Sequence, residues 1–319
     1  MISRIGVLTS GGDAPGMNAA VRAIIRAGIK NGKEMFVIYD GYRGLVDGEI
    51  QQVDRNFVSD IINRGGTIIR SARLPEFKEL EVQKKAVEQL KKHGIDALVV
   101  IGGDGTYMGA KKLSNLGINC IAIPGTIDND IASTDYTIGF DTALNTICDA
   151  VSKLRDTSSS HQRCSVIEVM GRYCGDLALF SGIASGADLI ISTDHPLSRG
   201  ESIERIKKMR AEGKRHVIVI ITEKLCDVHE FARDIEKQTG YECRAEVLGR
   251  IQRGGSPSAF DRVLAAKLGT YAVECLLENK SGRCVGIINN QLTDIDILEA
   301  LDMKRDTHAN IIHIISTLN

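Results

Sequence analysis

The sequence contains no tryptophan, and aromatic residues make up only 4% of its 319 positions. Proline is also scarce, with five residues, which argues against a proline-rich disordered chain. Forty basic residues stand against forty-one acidic ones, so the net charge of −1 gives no overall field that would attract nucleic acid or a membrane. Anions must therefore be bound by local clusters of arginine and lysine.

Long apolar runs and paired cysteines are missing too. No apolar stretch reaches the ~18 residues that a membrane span requires, and no charged-then-apolar signal peptide opens the chain. The eight cysteines form no CxxC pair and show no metal-like spacing with the seven histidines. We therefore expect neither a transmembrane protein nor a secreted disulfide scaffold, but free thiols in a reducing cytoplasm.

Short, continuously apolar segments alternate with helix-period stretches, and such segments are typical of strands covered on both faces. The predicted strands span residues 5–9, 35–39, 97–101, 120–123, 164–169, 189–192, 217–221, 246–248 and 285–288. Residues 18–29 are predicted as a helix with Val21, Ile24, Ile25 and Gly28 on one side, and residues 142–155 as a second helix. The polar stretch 156–163 is interpreted as a flexible connector. This alternation predicts an α/β fold with parallel sheets and right-handed crossovers, and the length favours two domains.

Glycine is abundant, with 32 residues, and it gathers where predicted strands end. Glycine-rich turns over residues 10–18, 102–106 and 124–130 each follow a strand, and so do residues 170–172 and 222–223. Because parallel strands bring their carboxyl ends to one edge of a sheet, we expect these turns to converge where doubly wound folds bind ligands.

The first two turns suit phosphate, because glycine lets backbone N–H groups approach an anion and the next helix offers its positive end. The alternative interpretation is that these glycines only allow tight turns between strand and helix and bind no phosphate. Neither a P-loop nor a GxGxxG motif follows the first strand. Asp104 is a natural ligand for Mg²⁺. Asp128 and Asp130 could divide the work of accepting a proton and supporting a cation, although Asx-turn capping would also explain each of them.

Arginine supplies the third component. These residues lie beside strand ends or in the glycine-rich stretch 249–255, where bidentate guanidinium contacts favour a doubly anionic substrate over an ordinary solvated surface. The arginines concerned are Arg163, Arg172, Arg244, Arg250 and Arg253.

Five motifs in order resemble the bacterial 6-phosphofructokinase family: residues 10–18, 102–106, 124–130, 170–172 and 252–257. The likeness extends from residue 2 to about residue 290. It implies two doubly wound, Rossmann-like three-layer domains with mostly parallel sheets and an active site in the cleft between them. The implied ATP-binding domain comprises residues 1–139 plus 252–302, and the implied fructose 6-phosphate-binding domain comprises residues 140–251 plus 303–319.

The resemblance also implies a reaction: a cytoplasmic, glycolytic homotetramer transfers the ATP γ-phosphate to the 1-hydroxyl of fructose 6-phosphate with Mg²⁺. ADP or phosphoenolpyruvate would act as effectors. The implied ATP-site residues are Gly12, Arg73, Leu74, Gly103, Asp104, Gly105 and Thr106, with Asp104 on magnesium. The implied catalytic residues are Asp128 as general base, Thr126, Asp130 and Arg172.

Two further sets of residues follow from the resemblance. The implied sugar-phosphate contacts are Thr126, Ile127, Asp128, Met170, Gly171, Arg172, Glu223, Arg250 and Arg253, with Arg163 and Arg244 reaching in from a neighbouring subunit. The implied effector contacts are Arg22, Arg26, Arg55, Asp60, Arg155, Gly186, Asp188, Glu212, Lys214 and His216.

Three positions depart from the family pattern. Arg250 stands where histidine is usual, Asp188 where glutamate is usual, and Glu212 where a basic residue often holds the effector phosphate. The first departure affects substrate binding, and the other two put regulation in doubt.

Other classes share some of these features. A pyrophosphate-dependent phosphofructokinase typically carries aspartate in place of Gly105 and lysine in place of Gly125. Both glycines are expected to leave room for the adenosine end of ATP, which favours ATP as the donor. NAD kinases and lipid kinases share the motif at residues 102–106 but lack the run at 124–130. A sugar-binding regulator would not need three aspartates at adjoining strand ends.

Overall fold

The computed structural model describes residues 2–305 and 308–318. The chain forms two compact units. The first comprises Met1–Ile127, Ile131–Thr142 and Arg253–Arg305, and the second comprises Asp128–Asp130, Ala143–Gln252 and Asp306–Asn319. In the domains expected from the sequence, the boundaries follow residues 139, 251 and 302. In the structure they follow residues 142, 252 and 305, and residues 128–130 belong to the second unit.

Strands and helices alternate along most of the described chain. The strands are β1 (Arg4–Thr9), β2 (Glu34–Ile38), β3 (Ile50–Val53), β4 (Ala97–Gly102), β5 (Asn119–Pro124), β6 (Arg163–Val169), β7 (Leu189–Ile191), β8 (Val217–Thr222), β9 (Glu242–Val247), β10 (Arg283–Ile288) and β11 (Gln291–Asp296). The helices are α1 (Met17–Lys30), α2 (Gly41–Asp47), α3 (Leu80–Lys92), α4 (Asp104–Asn115), α5 (Phe140–His161), α6 (Asp176–Ser185), α7 (Arg199–Ala211), α8 (Val228–Thr239), α9 (Ala259–Leu277), α10 (Ile297–Asp302) and α11 (Ala309–Leu318). Two short 3-10 helices cover Pro75–Lys78 and Gly249–Arg253.

A seven-stranded sheet in the order β11-β10-β5-β4-β1-β2-β3 forms the centre of the first unit. Its five inner strands run parallel, and Val7 of β1 pairs with Val99 of β4 and Val37 of β2, all three of them fully buried. The apolar side of α1 that was predicted from its spacing, including Val21 and Ile24, is buried as expected. The predicted parallel α/β architecture is therefore confirmed in this unit.

The two edge strands of this sheet escaped the sequence prediction. β3 and β11 pair antiparallel with β2 and β10, and most of their residues are half-buried or exposed. Edge strands carry polar residues because one side of the ladder faces solvent. A search for continuous apolar runs misses them for that reason.

A four-stranded parallel sheet in the order β7-β8-β6-β9 forms the centre of the second unit. Its core packs Val166 and Val219 of the sheet against Phe231 and Ile235 of α8. The strand predicted over residues 246–248 starts earlier, at Glu242. The prediction missed this start because outward-facing charged residues interrupt the apolar run, although Cys243 is buried.

The polar stretch 156–163, interpreted as a connector, is helix and strand instead, so that interpretation was wrong. α5 continues to His161, and β6 begins at Arg163. Ser158 is buried, and its hydroxyl forms a hydrogen bond of 2.7 Å with the hydroxyl of Ser165 in β6. A serine whose hydroxyl has a hydrogen-bond partner in a neighbouring strand is compatible with a helix interior. The local sequence around Ser158 does not reveal that Ser165 is this partner.

Within residues 2–305 and 308–318, no helix combines the length and the apolar character needed to cross a membrane. Each unit surrounds a covered sheet with helices, which is a common layered arrangement of α/β domains. The carboxyl ends of the parallel strands in each unit carry the turns that the sequence singled out.

Candidate active site

The turn after β1 is held by hydrogen bonds at the carboxyl end of the first sheet. Ser10 N donates to Ile101 O at 3.0 Å, and the hydroxyl of Ser71 donates to Gly11 O at 2.7 Å. Gly11 has a φ of 86°, a conformation that glycine adopts without steric cost. The turn is therefore fixed just ahead of the amino end of α1, which begins at Met17.

Gly12 lies directly against Arg253. A Cβ atom at Gly12 would lie 2.4 Å from Arg253 Nη1, so any side chain there would push the Arg253 guanidinium aside. The guanidinium of Arg253 also donates to Asp13 O at 3.2 Å. The structure thus places Arg253, which was predicted to contact the sugar phosphate, against the first glycine turn within the first unit.

The turn after β4 packs under the same loop. A Cβ atom at Gly102 would lie 2.3 Å from Thr106 Oγ1 and 2.4 Å from Ser10 O, so this position also requires glycine. The Thr106 hydroxyl donates to Ser10 O at 3.2 Å, and Tyr42 donates to Thr106 O at 2.6 Å. These bonds join the first two glycine turns into one surface, as the sequence predicted for neighbouring strand ends.

This surface is open above Gly103 and Gly105. A Cβ atom at either position would meet nothing within 4 Å. Both glycines lie at the amino end of α4, where backbone N–H groups lack helical partners and the helix dipole is positive. A bare backbone at a helix amino terminus is suited to bind phosphate.

Asp104 is the first residue of α4 and is exposed to solvent. Mg²⁺ commonly takes one or two protein carboxylates and draws its remaining ligands from phosphates and water. Among residues 2–305 and 308–318, no group of three or more His, Cys, Asp or Glu side chains is arranged to hold a metal ion by itself. Asp104 beside an open phosphate surface fits a magnesium ion that arrives with a nucleotide.

The turn after β5 carries Gly125 and Thr126 in the first unit. A Cβ atom at Gly125 would lie 2.9 Å from Ile101 Cγ2 and 3.2 Å from Met17 Cε, so packing explains this glycine. The expectation that Gly125 leaves open room is therefore wrong, whereas Gly105 is open as expected. Thr126 is held through its carbonyl, which accepts a 2.6 Å hydrogen bond from the hydroxyl of Thr137.

Arg73 and Leu74 lie before the 3-10 helix Pro75–Lys78. Arg73 is exposed, and its carbonyl accepts a hydrogen bond of 3.3 Å from Arg43 Nη2. Leu74 is half-buried and packs against the apolar core of the first unit. The backbone is anchored here while the Arg73 guanidinium remains at the surface.

Residues 128–130 form an enclosed polar turn of the second unit. Asp128 is buried at 7% exposure and Asn129 at 2%, whereas Asp130 is half-buried. The Asn129 side chain donates to Asp176 Oδ2 at 2.8 Å. Asp176 is fully buried, and the sequence analysis missed it because a single aspartate at a helix start carries no distinctive local signal.

The ends of β6 and β8 bring Met170–Arg172 and Glu223 together, as the sequence predicted for neighbouring strands. The backbone N–H of Arg172 donates to Glu223 Oε1 at 2.9 Å, and the backbone N–H of Met170 donates to Gln252 Oε1 at 3.2 Å. Gly171 has a φ of 135°. The Arg172 side chain is exposed, with its guanidinium 5.7 Å from the ring centre of Tyr173.

Arg163 and Arg244 lie elsewhere in the second unit. Arg163 is the first residue of β6, so the length of that strand separates it by roughly 20 Å from the turn that follows Val169. Its Nε lies 2.9 Å from Glu242 Oε2, and Arg244 Nη2 lies 2.7 Å from Glu242 Oε1. Hydrogen bonding from Arg163 and the charges of both arginines lower the pKa of Glu242.

Arg250 lies in the 3-10 helix Gly249–Arg253 and is exposed. The preceding Gly249 has a φ of 53°, and Gln252 is fully buried. The buried Gln252 side chain, which also contacts Met170, therefore anchors this segment beside the turn after β6.

Four predicted effector contacts gather in the first unit. Burial lowers the pKa of Arg26, and the charges of Arg22 and Arg55 lower it further, whereas Asp60 raises it. Arg26 Nε is buried, and it has no hydrogen-bond partner among the described residues. The concentration of positive charge here favours an anion.

The remaining predicted effector contacts lie in the second unit. Arg155 Nη2 donates to Gly186 O at 2.7 Å, and Lys214 forms an ion pair with Asp188, which is 8% exposed. Burial lowers the pKa of His216, with Asp188 opposing this shift. The usual glutamate is thus replaced by an aspartate that already has a cationic partner.

Glu212 follows the end of α7, and its side chain is exposed. Its carboxylate lies 3.8 Å from Lys208 Nζ, one helical turn earlier. An exposed pair of this kind contributes little free energy, but it partly neutralises the charge that the sequence predicted to repel an anion.

Two covered, mostly parallel sheets with glycine-rich or polar turns at the carboxyl ends of their strands define a Rossmann-like α/β protein. The chain belongs to the phosphofructokinase family, because the model named Phosphofructokinase matches residues 4–276. An ATP-dependent 6-phosphofructokinase of Vibrio campbellii is 58% identical over 319 residues, which cover 100% of both chains. The enzyme of the same name from Vibrio cholerae is 58% identical over 312 residues, covering 98% of each chain.

Solved structures agree with this assignment. Phosphofructokinase from Saccharomyces cerevisiae superposes with a TM-score of 0.86 at 35% identity, over 99% of this chain and 47% of the yeast chain. The chain thus spans about half the length of that relative. A pyrophosphate-dependent phosphofructokinase from Marinobacter aquaeolei shares the fold, with a TM-score of 0.86 at 21% identity, over 96% of this chain and 85% of that one.

Proposed function

We propose that this chain transfers the γ-phosphate of ATP to the 1-hydroxyl of fructose 6-phosphate, giving fructose 1,6-bisphosphate and ADP. The open backbone of Gly103 and Gly105 beside Asp104 carries this proposal, because it offers a phosphate surface and a magnesium ligand together. The full-length relatives named ATP-dependent 6-phosphofructokinase support the identity of both substrates.

In this proposal the first unit binds ATP. Gly12 and Thr106 shape the phosphate surface, and the N–H groups at the start of α4 donate to phosphate oxygens. Asp104 would hold Mg²⁺ together with those oxygens, and the ion would neutralise charge on the transferring phosphoryl group. Arg73 and Leu74 would contact the nucleotide beyond the phosphates.

The second unit binds fructose 6-phosphate and supplies the base. Asp128 would accept the proton of the 1-hydroxyl, and its burial limits competition from water. Thr126 and Asp130 flank it, while Arg172 would stabilise charge on the transferring phosphate. The sugar-phosphate contacts would be Met170, Gly171, Glu223 and Arg250 of this unit, with Ile127 and Arg253 of the first unit.

ATP rather than pyrophosphate is the proposed donor. Gly105 leaves space for a nucleotide to continue past the β-phosphate, since even a Cβ atom there meets nothing within 4 Å. Gly125 does not contribute to this argument because packing accounts for it.

Coupled ADP release tests the proposed function directly. Purified enzyme with Mg²⁺ and ATP should release ADP only when fructose 6-phosphate is added, and chelation of the metal should stop it. Pyrophosphate in place of ATP should give no useful turnover in a parallel assay for fructose 1,6-bisphosphate. Turnover with both donors would contradict the donor assignment, and ADP release without the sugar would contradict the substrate.

We further propose a cytoplasmic homotetramer that responds weakly to ADP and phosphoenolpyruvate. The arginine cluster around Arg26 supports an anion site. Asp188 is already paired with Lys214, so an effector phosphate gains less from that lysine. Glu212, which Lys208 neutralises only in part, adds negative charge nearby in sequence. Titrating each effector into the coupled assay measures the response, and a strong change in the fructose 6-phosphate KM would contradict this proposal.

A further inference from the structure

We propose that His308, in the segment before α11, is a positioning residue for the turn that carries Asp128. This inference rests on the proposed function, in which Asp128 is the general base. His308 lies far along the chain from that turn, and its contact with Asp176 connects the two.

Asp176 is the centre of this connection. Its carboxylate has 0% side-chain exposure, and a charge buried so completely requires hydrogen-bond donors. Asp176 Oδ2 accepts from Asn129 Nδ2 at 2.8 Å, whereas Oδ1 accepts from His308 Nε2 at 3.0 Å. Cys174 Sγ also lies 3.2 Å from Oδ1. One oxygen thus holds the turn at residues 128–130, and the other holds the C-terminal segment.

The Asn129 contact constrains the backbone next to Asp128. Asn129 has a φ of 51°, in the left-handed region that asparagine adopts more readily than most other non-glycine residues. Its side-chain amide is anchored to a fully buried carboxylate at the start of α6. A shift of that carboxylate would therefore displace Asn129 and, with it, the adjoining Asp128.

His308 is held in place from a second side. Its ring meets Phe180 edge to face, with centroids 5.6 Å apart and an interplanar angle of 88°. Phe180 lies on α6, one turn beyond Asp176. The imidazole therefore packs on the same helix that presents the carboxylate, and its N–H group points along a fixed direction.

The experiment removes the donor and keeps the ring. His308→Phe should retain the packing on Phe180, lower kcat by about 10-fold and leave the fructose 6-phosphate KM within about 2-fold, because a small misplacement of a reacting group slows chemistry more than binding. His308→Gln restores an N–H donor and should recover most of the activity. His313→Phe, at an exposed site on α11, is the matched control and should behave as wild type.

Hydrogen exchange separates positioning from catalysis. Amides of a peptide covering residues 126–131 should exchange faster in His308→Phe than in wild type or His313→Phe. Unchanged exchange in that peptide would overturn the connection, and faster exchange with a normal kcat would overturn its role in the reaction. If wild type itself releases no ADP, the proposed function fails, but the exchange measurement still decides the connection.

A double-mutant cycle completes the test. If Asp176 transmits the effect of His308 through Asn129, then Asn129→Ala and His308→Phe should not be additive in kcat. Full additivity would overturn the proposal. Should His308→Phe fail to fold, His308→Asn and His308→Gln replace it. The shorter asparagine should not reach Asp176, so amides of residues 126–131 should exchange faster in His308→Asn than in His308→Gln. Equal exchange in the two variants would contradict the connection.

Discussion

At the scale of single residues, burial separates two aspartates that the sequence presents as equivalent. Asp128 is 7% exposed, while Asp130 is half-buried only two positions later. An enclosed carboxylate is protected from competing water and can accept a proton from a substrate hydroxyl held beside it. This difference supports Asp128 as the base and leaves Asp130 a supporting role.

Replacing Asp128 with serine should lower kcat by about 10²–10⁴-fold, since the attacking hydroxyl loses its proton acceptor. The KM for fructose 6-phosphate should change little, because in the proposed function arginines, not Asp128, bind the substrate phosphate. Steady-state kinetics measure both constants, and an unchanged midpoint of thermal unfolding shows that the variant is folded. A kcat close to wild type would remove Asp128 from the base role.

The exposed Arg250 should contribute a full positive charge to the 6-phosphate site. Arg250→Ala is expected to raise the fructose 6-phosphate KM about 10-fold or more, as the loss of a charged hydrogen bond of ~1.5–3 kcal/mol would do. The KM for ATP should hardly move, which serves as the internal control.

Arg250→His should keep most of the activity and make this KM rise between about pH 6 and 8. An ordinary histidine has a pKa of about 6.5, so it loses its charge as the pH rises through that window, whereas arginine remains charged. A KM that stays constant across this range in the histidine variant, or that is unchanged in the alanine variant, would place Arg250 away from the phosphate.

At the scale of secondary-structure elements, the turn between β4 and α4 contains glycines with opposite requirements. Gly102 sits beneath the Ser10 carbonyl and the Thr106 hydroxyl, with no room for a methyl group. Gly105 stands at the open surface of the same turn. The first glycine is needed for the fold, and the second leaves space for a ligand.

The matched pair Gly102→Ala and Gly105→Ala tests this division. Gly102→Ala should reduce the free energy of unfolding by about 1–3 kcal/mol, because the added methyl overlaps backbone and side-chain atoms that cannot all move away. Gly105→Ala should leave the free energy of unfolding nearly unchanged and affect the ATP KM instead. Urea denaturation measures both variants, and equal losses of stability would show that the turn rearranges freely.

At the scale of the whole molecule, the arginines at the amino end of β6 and on β9 raise the question of assembly. Arg163 lies a strand length away from the turn that carries Arg172 in its own chain. We propose that this arginine acts on substrate from a neighbouring subunit, as the family resemblance implies. Activity should therefore follow the oligomer.

Mixing two defective variants tests this arrangement. Asp128→Ser and Arg163→Ala should each have low activity, and co-assembly in equal amounts should restore about a quarter of wild-type activity, since one site in four then combines both intact residues under random pairing. Light scattering measures the assembly state. The control is a mixture of the two purified variants in which subunits have not exchanged between oligomers. Absence of recovery in hybrids, or a fully active monomer, would contradict action between subunits.

Local patterns in the sequence were enough to predict the parallel sheets and the turns at their ends. Continuous apolar runs such as residues 97–101 predict covered strands, because burial on both faces leaves no polar alternation. Glycines and aspartates after those strands predicted phosphate-binding turns, and the structure brings the turns after β1 and β4 together. The order of the motifs also sufficed to indicate the family.

Only the tertiary structure decided features that depend on partners distant in the chain. The helical end of α5 depends on a hydrogen bond between Ser158 and Ser165, and the requirement for glycine at position 125 depends on packing against Ile101. Asp176 joins the turn at residues 128–130 to His308 from 132 positions away. Local hydrophobic spacing contains no information on such contacts, because they exist only once the sheets have assembled and the elements have packed.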